Sequence, residues 1–331
     1  MKKIMKSFKY FHGILRSFLP FLSTIIVILG IMTLSSFTST SNSNNTFGGT
    51  SDQDYRIISP PIPLNPEFCG EEVPIKNFEV YERFEREMIV STYYHSSTLL
   101  YLKRTNRWFP IIEPILADSS VPDDFKYLAL TESGLDNVIS PKGATGFWQF
   151  LEDTGRKYGL EINNEVDERY NVEKSTRAAC SYLLQAYRRF GTWTMAAASY
   201  NFGIEGIEKQ IGRQQSNNYY NLVFAEETSR YILRIVALKE VLSDPQKYGF
   251  FMTENELYNP YETYSIEIRS QIDDLALFAK SYDINYKILK YFNPWLRENY
   301  LSNPGGKSYI LKIPATGSIY VIPDFNFESK D

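Results

Sequence analysis

Apolar residues recur along this chain at helical intervals from about residue 73 to residue 242. Phe78, Val80, Tyr81, Phe84 and Met88 fall at steps near three and four, which predicts a helical lead-in from Val73 to about Arg107. Trp108-Phe109-Pro110 is expected to break it, and Ile111–Ala117 to resume as a separate helix. After the loop Asp118–Pro122, a helix is expected from Asp123 to about Ser133, with two acids in its first turn. Ser140–Gly146 reads as a glycine-bearing loop, and Phe147-Trp148-Gln149-Phe150 as the opening of the next helix, which ends near Thr154–Leu160. Asp167–Tyr170 reads as a structural turn. Ser175–Phe190 is amphipathic, with Ala178, Ala179, Tyr182, Leu183 and Tyr187 on one side. A short apolar helix Trp193–Tyr200 and a last helix from Glu227 to about Leu242 complete the region, in which no strand ladder is expected.

The pattern changes after Leu242. A Pro-interrupted polar linker, Asn255–Thr263, precedes an alternating stretch, Tyr264–Ile268. Two short helical stretches come next, Asp273–Tyr282 and Asn285–Phe292, and then a second strand, Tyr309–Ile313. The expected fold is mainly α. It comprises an all-helical domain over 73–250 that includes the lead-in, a small α+β (βααβ) module over 260–316, and a tail, 317–331.

The first 37 residues differ from all of this. Lys2, Lys3, Lys6, Lys9 and Arg16 precede a nearly uninterrupted apolar run from Phe18 to Phe37, and no acid occurs before Asp52. Such a run is long enough to cross a bilayer, and positive charge before it favours a cytoplasmic N-terminus. A cleaved signal peptide fits equally well. Both readings export the body of the chain to the periplasm or cell envelope, with or without a tether to the inner membrane. Residues 38–72, rich in Ser, Thr and Asn and then Pro, read as a flexible linker.

Charge and composition narrow the chemistry. The formal net charge of the 331 residues is −4, and the part beyond the basic leader is more acidic still. That balance argues against nucleic acid as a partner. Only two histidines occur, His12 and His95, so a Ser-His-Asp or Cys-His mechanism has almost no candidate base. The two cysteines, Cys69 and Cys180, show no metal-ligand spacing. Cys180 reads as a small core residue and Cys69 as a free linker thiol, although an oxidising compartment would also permit their pairing. No cofactor is expected.

Glu132 stands out as a candidate acid. It closes an apolar helix, next to Leu128, Ala129 and Leu130, at the negative end of the helix dipole. A dry neighbourhood and that dipole both raise a carboxyl pKa, which suits a general acid near neutral pH. The aromatic pair Phe147-Trp148 suggests a groove floored by rings, and the Gln149 amide, able to donate and accept, suits an acetamido sugar. At the end of the Trp193 helix, Tyr200 is placed to hydrogen-bond through its hydroxyl while its ring packs inside.

Five elements in order carry a resemblance: Glu132-Ser133, Gly143-Ala144-Thr145-Gly146-Phe147-Trp148-Gln149-Phe150, Asp167-Glu168-Arg169, Ser199-Tyr200-Asn201-x-Gly203 and Glu227-Thr228-x-x-Tyr231. Together they resemble the lysozyme-like catalytic domain of the lytic transglycosylases, especially the membrane-bound type D branch. The likeness covers roughly Val73 to Leu242. It implies a peptidoglycan lyase, monomeric, with glycan strands as its partner and Glu132 as the sole acid and then base, leaving 1,6-anhydromuramic ends. It also implies that Ser140, Gln149, Tyr200, Asn201, Glu227 and Tyr231 line the cleft. Departures are Phe202, where the family has a small residue, and Val138-Ile139 in the loop after the acid. Asp136, nearby on that loop, is not expected to be a second catalytic group. The βααβ stretch with its Asn293-Pro294 end resembles a degenerate LysM-type module without the usual Gly-Asp turn, so glycan binding and a packing role both stay open for it. A hydrolase on the same fold and a non-enzymatic wall-binding protein are the alternatives.

Overall fold

The computed structural model describes residues 57–318. The basic leader and apolar run, most of the expected linker, and the last thirteen residues of the tail lie outside the described residues. Among the described residues no helix is long and apolar enough to cross a membrane. Residues 67–72, expected as linker, instead form a hairpin of β1 (Glu67–Phe68) and β2 (Glu71–Glu72). Phe68 and Val73 are fully buried there, and the Phe68 ring meets Phe125 edge-on at 5.2 Å. Apolar side chains in an otherwise polar, Pro-rich stretch anchor it to the core.

Helix α1 (Phe78–Tyr93) starts at Asn77, whose side chain accepts from the Glu79 N–H at 3.1 Å. The helical lead-in breaks at Tyr94 rather than at Pro110. From His95 a single helix, α2 (His95–Asp118), runs through both Pro110 and Pro114. Each proline deletes one backbone donor, but Phe109, Ile112, Ile115 and Leu116 bury the same face and hold the helix together. Helix α3 (Phe125–Ser133) ends at Gly134, left-handed at φ 63°, whose N–H returns to Leu130 O at 2.8 Å. Residues 127–130 of α3 are all buried, which makes it the central helix of the domain.

The 147–150 stretch does not open a helix. Thr145 bridges both Ile139 and Phe150, which folds the segment into a compact loop, and α4 (Glu152–Lys157) begins only afterwards. Helices α5 (Val172–Phe190) and α6 (Trp193–Phe202) pack on each other through alanines. Ala178, Ala179 and Ala186 of α5 and Ala196–Ala198 of α6 are at most 3% exposed, and small side chains let two helix axes approach closely. Helix α7 (Ile204–Gln214), absent from the expected elements, comes directly after Gly203. Helix α8 (Glu226–Ser243) packs against α1, α3 and α6 and closes the helical domain.

The C-terminal module has the expected order. Strands β3 (Thr263–Ile268) and β4 (Tyr309–Pro314) pair antiparallel, from Thr263 opposite Pro314 to Ile268 opposite Tyr309. Helices α9 (Leu275–Lys280) and α10 (Tyr286–Phe292) lie between them in sequence. Asn293 is fully buried and joins α10 to β4. Its amide donates to Leu289 O at 3.0 Å and Lys312 O at 2.8 Å, and its oxygen accepts from the Lys312 N–H at 2.8 Å. The module's core also takes in Val166 and Tyr170 from the helical domain.

Candidate active site

Three helix ends and one loop converge on Glu132. It sits in the last turn of α3, half-buried. Its Oε1 accepts a hydrogen bond from the Tyr231 hydroxyl of α8. Burial pushes the Glu132 carboxyl up from 4.5 to about 7; the Tyr231 hydrogen bond opposes the rise, the Glu227 charge adds to it, and Arg234 opposes it. Tyr231 is 2% exposed, and burial holds its hydroxyl pKa well above the usual phenol range, so it stays a donor at any neutral pH. Tyr231 and Glu227 are four residues apart on α8 and so share a face. Glu227 itself is exposed.

The loop is tied to the acid-bearing helix by a residue not singled out as a candidate from sequence. The Ser133 hydroxyl donates to Phe147 O at 2.9 Å and accepts from the Leu135 N–H at 3.1 Å. Within the loop, Ser140 Oγ accepts from the Ala144 N–H at 3.0 Å, so its hydroxyl shapes the turn. Gln149 adopts φ 49°, and its side-chain N–H₂ donates to Val138 O at 3.0 Å and Gly146 O at 2.8 Å. Both amide hydrogens are committed to the loop backbone, which leaves the Gln149 side-chain oxygen as an acceptor. Val138 and Ile139 are exposed, and Val138 takes part in the loop through its carbonyl.

The aromatic pair does not floor a groove. Phe147 and Trp148 are 1% and 0% exposed, and the Trp148 indole N–H donates to Thr176 Oγ1 at 2.8 Å. Their rings are core, and what they offer the site is backbone: Trp148 O accepts from the Tyr200 hydroxyl at 2.7 Å. Tyr200 thereby links the end of α6 to the residue preceding Gln149. Burial raises its hydroxyl pKa well above normal, and the Glu132 charge adds to this. Next to it, Asn201 Oδ1 accepts from Thr228 Oγ1 at 2.8 Å, which joins α6 to the first turn of α8 beside Glu227. Bulky Phe202 turns toward Phe224, with ring centroids 5.5 Å apart, and toward Gly206, where a Cβ would come within 2.8 Å of its ring.

Asp136 is committed elsewhere. It is bound by Arg104 at 2.8 Å, and the same guanidinium donates to Gly134 O at 2.9 Å. Cys69 and Cys180 are both free thiols. A cavity of about 380 Å³ opens between α2 and residues 245–257, lined by Phe109, Pro110, Phe250 and Met252 among others, and it includes no residue of the Glu132 cluster. Among the described residues, no three His, Cys, Asp or Glu side chains are grouped as metal ligands would be.

Residues 109–223 match the Transglycosylase SLT domain, and residues 264–317 match the Soluble lytic transglycosylase C-terminal LysM-like domain. Glu227 and Tyr231 lie just past the first match. The chain is homologous to the Membrane-bound lytic murein transglycosylase D of Escherichia coli strain K12, with 25% identity over 253 residues, covering 74% of this chain and 54% of that protein. The protein of the same name from Escherichia coli O6:H1 aligns with the same identity and coverage. The chain thus spans about half the length of these curated relatives. Residues 109–223 belong to the transglycosylase SLT domain family, and the module after them belongs to the LysM-like C-terminal domains of the soluble lytic transglycosylases.

Proposed function

We propose that the protein is a peptidoglycan lytic transglycosylase that uses Glu132 as its only acid/base. The observation that carries the reading is a single half-buried carboxyl, held by Tyr231, with a pKa near 7. Such a group is protonated often enough to donate and ionised easily enough to accept near neutral pH. Glu132 donates its proton to the oxygen joining N-acetylmuramic acid to N-acetylglucosamine, and the bond from that oxygen to the muramic anomeric carbon breaks. The substrate's own N-acetyl group stabilises the positive charge developing at that carbon. Glu132, now a carboxylate, takes the proton of the muramic C6 hydroxyl as its oxygen bonds to the anomeric carbon. The product is a 1,6-anhydro end, water is not consumed, and Glu132 regains its starting proton.

The remaining site residues act by position. The free oxygen of Gln149 accepts from a sugar amide or hydroxyl, and Glu227 and Asn201 lie together where the end of α6 meets the first turn of α8. Ser140 and Tyr200 hold the loop in shape. A hydrolytic alternative has one specific observation in its favour, the second carboxylate of Glu227 near Glu132, since a paired carboxylate could activate water. The murein relatives and the burial of Glu132 alone favour the lyase reading. Because those relatives are named membrane-bound, we place the activity in the cell envelope, with residues 1–37 directing export. The test of the assignment is Glu132→Gln on purified sacculi. Glycan release is expected to fall beyond the roughly 10²- to 10⁴-fold typical of one general acid, because one group serves both steps. Release that persists at wild-type rate would remove Glu132 from the mechanism.

A further inference from the structure

The Asp167-Glu168-Arg169 run touches both halves of the described structure. Its backbone is built into the C-terminal module. The Asp167 N–H donates to Trp295 O at 2.8 Å, the Arg297 N–H donates to Glu165 O at 2.7 Å, and Val166 bridges Leu296 antiparallel. Val166 and Tyr170 are buried in the module's own core, and the Arg297 guanidinium lies 4.2 Å from the Tyr170 ring centre. Side chains reinforce the seat. Glu161 accepts from Tyr309 at 3.0 Å and pairs with Lys307, Glu165 accepts from the Ser302 hydroxyl at 2.7 Å, and Glu173 pairs with Lys312. Glu168, 3% exposed, accepts from the Glu161 N–H at 2.8 Å and so ties this seat to the run itself.

The same run grips the cleft loop from its other side. Arg169 and Asp167, at 9% and 7% exposure, form a two-pronged pair, with Nε to Oδ1 at 2.9 Å and Nη2 to Oδ2 at 2.7 Å. The remaining Arg169 nitrogen donates to Gly143 O and Phe150 O, each at 3.2 Å, so one guanidinium spans the two ends of the loop that carries Gln149. The Arg169 backbone lies directly under the loop. A Cβ on Gly146 would sit 2.0 Å from Arg169 O.

We infer that the C-terminal module is a clamp on the active-site loop. Its seat on residues 161–173 fixes Asp167 and Arg169, and Arg169 is the positioning residue that fixes Gln149. The step from loop order to substrate binding rests on the transglycosylase reading. The coupling between module and loop does not, and it is measurable without substrate.

Amide hydrogen exchange on the full chain tests it with two variants. The first combines Ser302→Ala, Lys307→Ala and Lys312→Ala, all on the module and outside the cleft. The second is Arg169→Lys, which keeps the charge and loses the fork. Both are expected to speed exchange across residues 143–150 roughly tenfold, within the 5- to 150-fold range of a typical coupling energy, while α8 stays at wild-type protection. Arg169→Lys is expected to do so with residues 263–314 unchanged, since it lies downstream of the seat. With sacculi as substrate, both variants should raise KM more than they lower kcat. Unchanged exchange at 143–150 in either variant overturns the clamp, whatever the activity. Faster exchange there with KM unmoved keeps the coupling and counts against the role of Gln149 in binding.

Discussion

Replacing Tyr231 with Phe removes one hydroxyl from the site and changes little else. In the folded protein that hydroxyl donates to Glu132 Oε1, and it bonds the ionised carboxylate more strongly than the neutral acid. A hydrogen bond to a charged group is worth about 1.5–3 kcal/mol, and one pH unit corresponds to about 1.36 kcal/mol. Losing it should therefore raise the Glu132 pKa by about 1–2 units from its value near 7. The first chemical step needs the protonated acid, so kcat/KM should fall on the alkaline side with an apparent pKa near 7 in the wild type. In Tyr231→Phe that limb should move to about pH 8–9, with the plateau below it kept within about tenfold. Initial rates of soluble fragment release from sacculi, measured across this range at constant ionic strength, give the profile. A limb that stays in place, or moves to lower pH, would refute both the hydrogen bond's role and the identity of the titrating group.

The same geometry makes three further outcomes measurable. Glu132 keeps its proton to about pH 7 when folded but releases it near 4.5 when unfolded, so between those values the native state binds more protons and stability falls as pH rises. Glu132→Gln removes that dependence, and its stability relative to wild type should improve by ~3 kcal/mol between about pH 4 and pH 8 in urea unfolding; a gap independent of pH contradicts the raised pKa. Gly146→Ala places a Cβ 2.0 Å from Arg169 O at φ 80°, and should cost about 3 kcal/mol or more by urea unfolding. Gly143→Ala, at the same φ but with nothing within 4 Å, should cost only the backbone strain of about 1–2 kcal/mol, and equal losses at the two sites would contradict the close approach.

The helices were legible where burial follows a simple period. The stretch Ser175–Phe190 shows the period directly, and α5 covers it with three more residues at its start. Proline's local penalty predicts a break at Pro110, but the buried face of Phe109, Ile112 and Ile115 outweighs it and α2 runs on. The helix expected at Phe147 failed for a related reason. Its apolar run is buried by a loop folded back on itself through Thr145, and an apolar run alone does not distinguish the two. Glu132 was legible as an acid beside apolar neighbours, but its partner Tyr231 lies 99 residues away in sequence, and the pairing exists only through the packing of α8 on α3. Ser133 enters the sequence reading only as part of the Glu132-Ser133 motif, and its link to Phe147 O shows only in three dimensions. The Asp167–Arg169 run read as an ordinary turn because its partners, the cleft loop and the C-terminal module, lie on either side of it in sequence and meet it only in the fold.

The sugar end left behind by the cut is the most direct witness to the chemistry at Glu132. Mass spectrometry of muropeptides from sacculi digested with the wild-type protein should show new muramic ends lighter by one water than reducing ends, and none of them after digestion with Glu132→Gln. Reducing ends from the wild-type protein would mean that water, activated by a second carboxylate such as Glu227, takes the place assigned to the C6 hydroxyl.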